Sequence, residues 1–159
     1  MTAQTAATEQ YLSFMLGGEE YGADIRRVQE IKGWDTVTRV PYSPKYVLGV
    51  INLRGSIVPV IDLRIRFGLD QVPHDATTVI IVVQVPGERG ERTVGMVVDA
   101  VADVYNVVSA NILPPPDALG AVEKEFVRGL ANQDGKLLIL LDIESLVMSS
   151  VRGGFKAAA

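Results

Sequence analysis

The sequence predicts an all-β fold built from small barrels, and three observations support this. Most apolar residues lie in strand-length runs, of which 79–85 and 137–141 are the clearest. Turn-forming dipeptides separate these runs at short intervals. The same order of segments also occurs twice along the chain. Short strands at this spacing favour small barrels, because closing a sheet removes its exposed edges.

Eight segments have the length and composition of strands. They are 11–16, 20–25, 51–53, 57–61, 79–85, 93–98, 104–108 and 137–141. The turn signals between them are Gly17-Gly18, Arg54-Gly55, Pro86-Gly87 and Asp134-Gly135. The first three of these turns join successive strands as hairpins. Pro59 lies inside one strand and suggests an edge strand or a bulge, because proline cannot donate a ladder hydrogen bond.

Helices are predicted to be few and short. Residues 44–47 can form a single turn, and 116–126 has mixed helical potential. Residues 143–148 form a short predicted helix after Asp142, which can act as its N-cap. The ends of the chain, 1–9 and 149–159, are rich in small or polar residues and are predicted to be flexible tails.

The internal repeat is clearest around the glycine turns. Residues 49–55 match 129–135 at an offset of 80, and both glycines and the asparagine coincide. The match continues, because Ile57 falls on Leu137 and Asp62 falls on Asp142 at the same offset. Such self-similarity indicates that one structural unit occurs twice.

The earlier part of each unit matches at an offset of 73. There, 21–25 falls on 94–98, and the matches Val28 to Val101, Glu30 to Asp103 and Ile31 to Val104 follow. The difference between the offsets, 80 − 73 = 7 residues, is explained by an insertion in the loop that contains Pro114-Pro115-Pro116. The chain is therefore predicted to contain two related halves, roughly 10–70 and 78–148.

Composition excludes several classes of function. The formal net charge is -4, which disfavours a general binder of nucleic acid or anionic membranes. The absence of cysteine excludes disulfides and thiolate zinc ligands, and the single histidine, His74, lies in a polar stretch typical of a loop. The N-terminus lacks signal-peptide features, and no apolar run approaches the ~20 residues of a membrane span. These features predict a soluble cytoplasmic protein.

No reactive constellation is present, so a binding module is the favoured class. The sequence has no phosphate-binding glycine loop, nucleophile elbow or metalloprotease motif. Arg54 suits a binding surface, because its planar guanidinium can bind carboxylates or carbonyls in bidentate fashion, although it equally fits a solvated turn. Two alternatives stay open: an enzyme with a carboxylate site at Asp62 or Asp142, and a nucleic-acid-binding barrel.

Six segments together resemble the CheW family of bacterial chemotaxis coupling proteins. They are 21–31, the Pro41 to Pro44 loop, 49–64, 93–104, 112–116 and 137–146. The asparagine-leucine-arginine-glycine turn and the strand after it are the most specific part, and the resemblance covers roughly residues 10–148. It implies an all-β fold of two intertwined SH3-like five-stranded β-barrels with a few short helices.

The resemblance also implies a non-enzymatic role. Members of this family are scaffolds that join chemoreceptors, the methyl-accepting chemotaxis proteins, to the regulatory domain of the histidine kinase CheA. Further implied partners are other CheW-like domains in array rings, and the implied location is cytoplasmic, at membrane-associated chemoreceptor arrays. No cofactor, metal, nucleic acid or membrane insertion is expected.

Two sets of site residues follow from the resemblance. The receptor-binding groove between the barrels is expected to contain Val28, Glu30, Gly49 and Arg54. Weaker candidates for kinase binding are Leu12, Phe14, Ile31 and Leu69, each of which also fits an ordinary core position. The resemblance makes Glu30 the expected partner of basic receptor residues or of Arg54 itself. Val28 also fits the core, and Gly49 also fits a turn or a close backbone approach.

Overall fold

The computed structural model describes residues 7–87, 90–116 and 124–152. The strands in these residues are β1 (Thr8–Leu16), β2 (Glu19–Asp24), β3 (Val28–Gly33), β4 (Val47–Leu53), β5 (Ser56–Asp62), β6 (Val79–Gly87), β7 (Gly90–Val98), β8 (Ala100–Val108), β9 (Val127–Gln133) and β10 (Lys136–Leu141). The α-helices are α1 (Leu63–Arg66) and α2 (Ile143–Arg152), and the 3-10 turns are Ile25–Arg27, Ser109–Asn111 and Lys124–Phe126.

The strands form two five-stranded sheets that exchange hairpins. The first barrel has the strand order β3-β6-β7-β5-β4, and the second barrel has the order β8-β1-β2-β10-β9. The early hairpin β1–β2 therefore belongs to the second barrel, and the later hairpin β6–β7 belongs to the first. This confirms the predicted all-β fold of two intertwined five-stranded units with few helices.

In each sheet, one isolated bridge brings the segment after one outer strand against the strand at the opposite edge. After β3 the chain returns to β4, where Thr38 and Val50 exchange backbone hydrogen bonds of 2.9 and 2.8 Å. After β8 the chain returns to β9, where Leu113 and Leu130 exchange two bonds of 2.8 Å. Each bridge thus links the segment after one outer strand to the opposite outer strand, which is the contact expected where a barrel closes.

The strand registers show that the two halves are related. The hairpin exchange creates two parallel pairings, β5 with β7 and β2 with β10. In the first, Val60 pairs with Gly95, and in the second, Leu140 pairs with Gly22. Val60 and Leu140 are 80 residues apart, and Gly22 and Gly95 are 73 apart. The three-dimensional registers thus have the two offsets of the sequence repeat.

Three hydrophobic clusters hold the fold together. The largest takes residues from both barrels, such as Phe14, Ile81 and Leu141, together with Leu146 of α2. The other two are confined to one barrel each. In β6 the side chains of Ile80 and Val82 lie in the cluster of the first barrel, while those of Ile81 and Val83 lie in the shared cluster. Because β6 is buried on both faces, the two barrels share one continuous interior.

Several local predictions need correction. The edge-strand prediction for Pro59 is wrong, because β5 lies between β4 and β7. Its parallel pairing with β7 begins only at Val60, so the proline precedes that ladder, and the nearby bulge lies in β4. The helix α1 was not predicted, although Asp62 caps it by accepting a hydrogen bond of 2.9 Å from the Arg64 N–H.

The chain ends and the proline-rich loop also differ from the prediction. β1 begins at Thr8, and α2 continues to Arg152, so each extends into a segment predicted as a tail. Asp142 does cap α2, accepting 3.0 Å from the Ser145 N–H. Of the possible helix at 116–126, residues 117–123 lie outside the described residues, and Lys124–Phe126 is a 3-10 turn.

Candidate interaction surface

The turn between β4 and β5 has the geometry of a two-residue hairpin turn with left-handed backbone. Leu53 pairs with Ser56 across the turn, and the intervening Arg54 and Gly55 have φ values of 51° and 90°. Two positive φ values are typical of a type I′ turn, in which glycine suits the second position. The Asn52 side chain accepts a 2.8 Å hydrogen bond from the Gly55 N–H and fixes the turn.

Arg54 projects from this turn and pairs with Glu30 of β3. Its Nη2 donates a hydrogen bond to Glu30 Oε2, and this bond raises the pKa of the Arg54 guanidinium. The Arg54 side chain is 67% exposed and that of Glu30 is 26% exposed. Because exposed ion pairs are screened by water, this pair contributes little to folding stability. The guanidinium of Arg54 stays accessible to a partner, while its bond to Glu30 restricts its orientation.

A bulge turns Glu30 away from Val28. The register of β3 against β6 shifts between these residues, so that Val28 pairs with Val83 and Glu30 with Val82. Val83 lies in the shared core, whereas Val82 lies in the cluster of the first barrel. Cross-strand neighbours share a face of the sheet. Val28 therefore faces the shared core, against which it is packed, and does not lie beside Glu30 and Arg54.

Gly49 has a structural requirement of its own. Its φ is 151°, and a Cβ atom at this position would overlap the carbonyl oxygen of Thr38. Glycine therefore permits the close approach that makes the Thr38–Val50 bridge. Its counterpart Gly129 is crowded in the same way, with the carbonyl oxygen of Leu113 2.6 Å from an added Cβ.

The second barrel repeats the turn but not the ion pair. Asp134 and Gly135 have φ values of 52° and 83°, and Asn132 accepts 3.2 Å from the Gly135 N–H. The position of Arg54 is thus taken by Asp134, and that of Glu30 by Asp103. Since the same backbone forms with aspartate or arginine, the turn does not need an arginine. Arg54 gives the first barrel a surface that the second barrel lacks.

The kinase-binding candidates differ sharply in accessibility. Leu12 and Phe14 are 3% and 0% exposed and belong to the shared core, so a partner cannot contact their side chains in this fold. Their burial favours the ordinary core position that both residues also fit. Leu69 is partly buried against the same core, whereas Ile31 is 43% exposed. Ile31 is the candidate that presents an apolar surface.

Equivalent apolar side chains are exposed on both barrels. Ile31 and Ile57 lie on the first barrel, and their counterparts on the second, Val104 and Leu137, are exposed as well. Ile57 exposes 64% of its surface. The sequence predicts no contact role for Ile57, Val104 or Leu137. The repeat does align apolar residues here, Ile31 with Val104 and Ile57 with Leu137. The alternation of residues along a strand, however, does not show which apolar side chains face solvent and which face the core.

The two carboxylates considered for catalysis are helix caps at equivalent positions of the repeat. Asp62 caps α1 and Asp142 caps α2. Burial raises the pKa of Asp62, whose side chain lies 4.0 Å from the imidazole Nε2 of His74. A capping role explains both carboxylates without any chemistry. Among the described residues, no group of three or more His, Asp or Glu side chains is placed to hold a metal ion.

Each of the two small barrels exposes apolar side chains at equivalent positions, and the first also exposes Arg54. These features are typical of the class of domains that bind other proteins. The family model for the CheW-like domain matches residues 10–151. The chain therefore belongs to the CheW-like domain family. In the part of the chain that the structure describes, no helix is both long and apolar enough to cross a bilayer.

The similarity to individual relatives extends over most of the chain. It is 45% identical over 141 residues to the chemotaxis protein CheW of Klebsiella aerogenes, covering 89% of this chain and 82% of that protein. It is 37% identical over 148 residues to the chemotaxis protein CheW of Rhizobium meliloti, covering 93% of each. The crystal structure of the scaffolding protein TtCheW from Thermoanaerobacter tengcongensis is similar with a TM-score of 0.78 and 34% identity, covering 90% of both chains. These relatives support a scaffold role in chemotaxis.

Proposed function

We propose that this chain is a non-enzymatic adaptor that couples chemoreceptors to the histidine kinase CheA. The observation that carries the proposal is the asymmetry between the barrels. The fold builds the same turn twice, and among the described residues only the turn of the first barrel presents an arginine paired with a glutamate. A residue that the fold does not require is best explained by a partner, since planar guanidinium groups suit carboxylates and carbonyls.

The receptor surface contains Arg54 and Glu30, with Gly49 holding the neighbouring backbone and Val28 supporting β3 from the core side. The cytoplasmic tip of a methyl-accepting chemoreceptor, laying helix side chains into a groove, is the proposed ligand. Glu30 then positions the guanidinium until a receptor group replaces it. The second barrel has Asp134 and Asp103 where the receptor surface has Arg54 and Glu30, so its charge differs at this place. Only the first barrel therefore binds the receptor.

The kinase surfaces are the exposed apolar positions that the two barrels share. Ile31 and Ile57 are exposed on the first barrel, and Val104 and Leu137 are exposed on the second. Exposed apolar side chains at equivalent places suit contacts with other barrels of similar shape. The proposed partners are the regulatory domain of CheA and other CheW-like domains in rings at cytoplasmic receptor arrays. A two-ended adaptor of this kind raises local concentration, so each contact can be modest.

The test measures co-sedimentation of the purified chain with receptor-bearing membranes and CheA, together with autophosphorylation of the kinase. We expect the chain to join both partners and to raise kinase activity. Arg54→Ala and Glu30→Lys should lower receptor binding by about tenfold while the fold survives.

The matched control is Asp134→Ala, which places alanine at the same left-handed turn position of the second barrel. We expect it to leave receptor binding unchanged. Equal loss of binding in Asp134→Ala and Arg54→Ala would show that turn strain, and not the guanidinium, is responsible. A folded chain that binds neither receptors nor CheA would refute the coupling role.

A further inference from the structure

A cleft on the first barrel lies outside the surfaces described so far. It is enclosed by the loop between β3 and β4 and by the segment between α1 and β6. Two adjoining cavities of about 660 and 360 Å³ form it. The residues that line both cavities are Arg39, Lys45, Val47, Leu48, Ile65 and Gln71.

The cleft carries positive charge that the described residues do not neutralise. No Asp or Glu side chain of the described chain lines either cavity. Within the described residues, Arg39 and Lys45 make no ion pair or side-chain hydrogen bond, whereas several other arginines are paired. The paired arginines are Arg26 with Asp24, Arg27 with Glu144, Arg54 with Glu30, Arg64 with Asp99 and Arg128 with Glu9. Two unpaired cations in a protein of net charge -4 mark a local site for anionic groups.

Apolar and aromatic side chains form the rest of the cleft. Val47 is buried, and Leu48 and Ile65 are partly buried, and these three residues form the aliphatic floor of the cleft. At one end Trp34 stacks on His74 with ring centroids 3.9 Å apart. At the other end Tyr42 is fully exposed, and its φ of 60° is unusual for an aromatic residue. Strained backbone of this kind clusters at functional sites, including those that hold ligands.

The backbone that carries the two cations is held by hydrogen bonds. Arg39 follows Thr38, which is bonded to Val50 on β4. Lys45 lies in a turn closed by a 2.9 Å bond from the Val47 N–H to the Pro44 carbonyl. A ligand therefore meets a largely formed site, and the free energy cost of ordering the loop is already met by folding.

We propose that this cleft binds a short acidic segment of another protein, with carboxylates at Arg39 and Lys45 and an aliphatic side chain on the floor. Its volume exceeds that of one phosphate or carboxylate, and much of its lining is apolar, which a simple anion would not use. Two cations are too few for a nucleic acid on an acidic protein. The proposal is independent of the receptor and kinase surfaces, since neither Arg39 nor Lys45 belongs to them.

The test uses Trp34, the single tryptophan of the sequence, as a reporter inside the cleft. The full chain is titrated with a capped hexapeptide of alternating glutamate and leucine. Binding is measured by tryptophan fluorescence and by calorimetry. We expect saturable binding that weakens with added salt. The double variant Arg39→Glu with Lys45→Glu should weaken binding by about tenfold or more.

The matched control is Lys136→Glu, which reverses an exposed charge on β10 outside the cleft and should leave binding unchanged. If the double variant fails to fold by circular dichroism, Arg39→Gln with Lys45→Gln takes its place. Three results would overturn the proposal: no heat or fluorescence change, equal binding of a glutamine–leucine peptide, or an equal affinity for inorganic phosphate alone. The last would mean that the cleft takes a simple anion.

Discussion

Arg54 and Glu30 join the two outer strands of one sheet. Glu30 belongs to β3 and Arg54 to the turn after β4, which lie at opposite ends of the strand order of the first barrel. The ion pair therefore spans the seam that the Thr38–Val50 bridge closes. Because the pair is exposed, we infer that it orients the guanidinium and contributes little to the stability of the barrel.

A charge exchange separates orientation from recognition. In the double variant Arg54→Glu with Glu30→Arg, the ion pair can still form with its charges reversed. We expect the temperature of unfolding to stay near that of the native chain, while receptor co-sedimentation falls as far as in Arg54→Ala. Recovery of receptor binding in the double variant would show that only the pair, and not the position of the guanidinium, matters.

Gly49→Ala should destabilise the fold strongly. The added Cβ would overlap the Thr38 carbonyl oxygen and would also strain the backbone at φ 151°. We expect a loss of about 3 kcal/mol in the free energy of unfolding, measured by urea denaturation. Gly55→Ala is the control, because its φ of 90° imposes backbone strain while nothing lies within 4 Å of the added Cβ. Its cost should be smaller, and equal costs would contradict the role assigned to the bridge.

Phe14 and Ile57 should respond in opposite ways. Phe14→Ala removes a fully buried ring from the shared core and should cost about 3–5 kcal/mol in the free energy of unfolding. Ile57→Ser changes an exposed side chain and should leave stability nearly unchanged, while lowering co-sedimentation with CheA. The matched variant on the second barrel is Leu137→Ser. Normal kinase binding and activation by both serine variants would refute the apolar kinase surfaces.

Asp62→Asn should make the protein more stable at neutral pH. Burial raises the pKa of Asp62 above its usual 3.8, although the Arg64 N–H and the nearby His74 oppose this. The folded state then holds the proton on Asp62 more tightly than the unfolded state, so the contribution of Asp62 to stability falls as pH rises from 3.8 through the raised pKa. Asparagine keeps a cap oxygen without this cost.

The measurement is the free energy of unfolding of both proteins between pH 3 and pH 7, with the conditions spanning the usual aspartate pKa. The advantage of Asp62→Asn should grow with pH and vanish at the acid end. Asp142→Asn, at the equivalent cap, is the control for the loss of a charged cap. An advantage that is constant with pH would show that titration of Asp62 is not its cause.

The hairpin turns could be predicted from sequence, whereas the contact residues could be predicted only in part. Arg54-Gly55 and Asp134-Gly135 are local signals, because two successive left-handed residues restrict the amino acids at a turn. Leu12 and Ile57 are both apolar residues in strands, and the sequence does not separate them. In this fold a strand can be buried on both faces, as β6 is, so an apolar side chain on either face can be core. Only the assembled barrels show that Leu12 is covered and Ile57 is not.

The cleft on the first barrel could not be predicted from the sequence. Trp34 and His74 lie 40 residues apart in the sequence and stack in the structure. Neither residue belongs to a motif, and loop residues carry no periodic signal. Contacts between two loops depend on how the strands before and after them are arranged, which local patterns do not determine.

The exchange of hairpins makes the two halves depend on each other for folding. Each barrel is completed by a hairpin from the other half, so a fragment ending near residue 70 would lack β6 and β7 and could not close the first barrel. The two barrels must therefore gain and lose their structure as one cooperative unit.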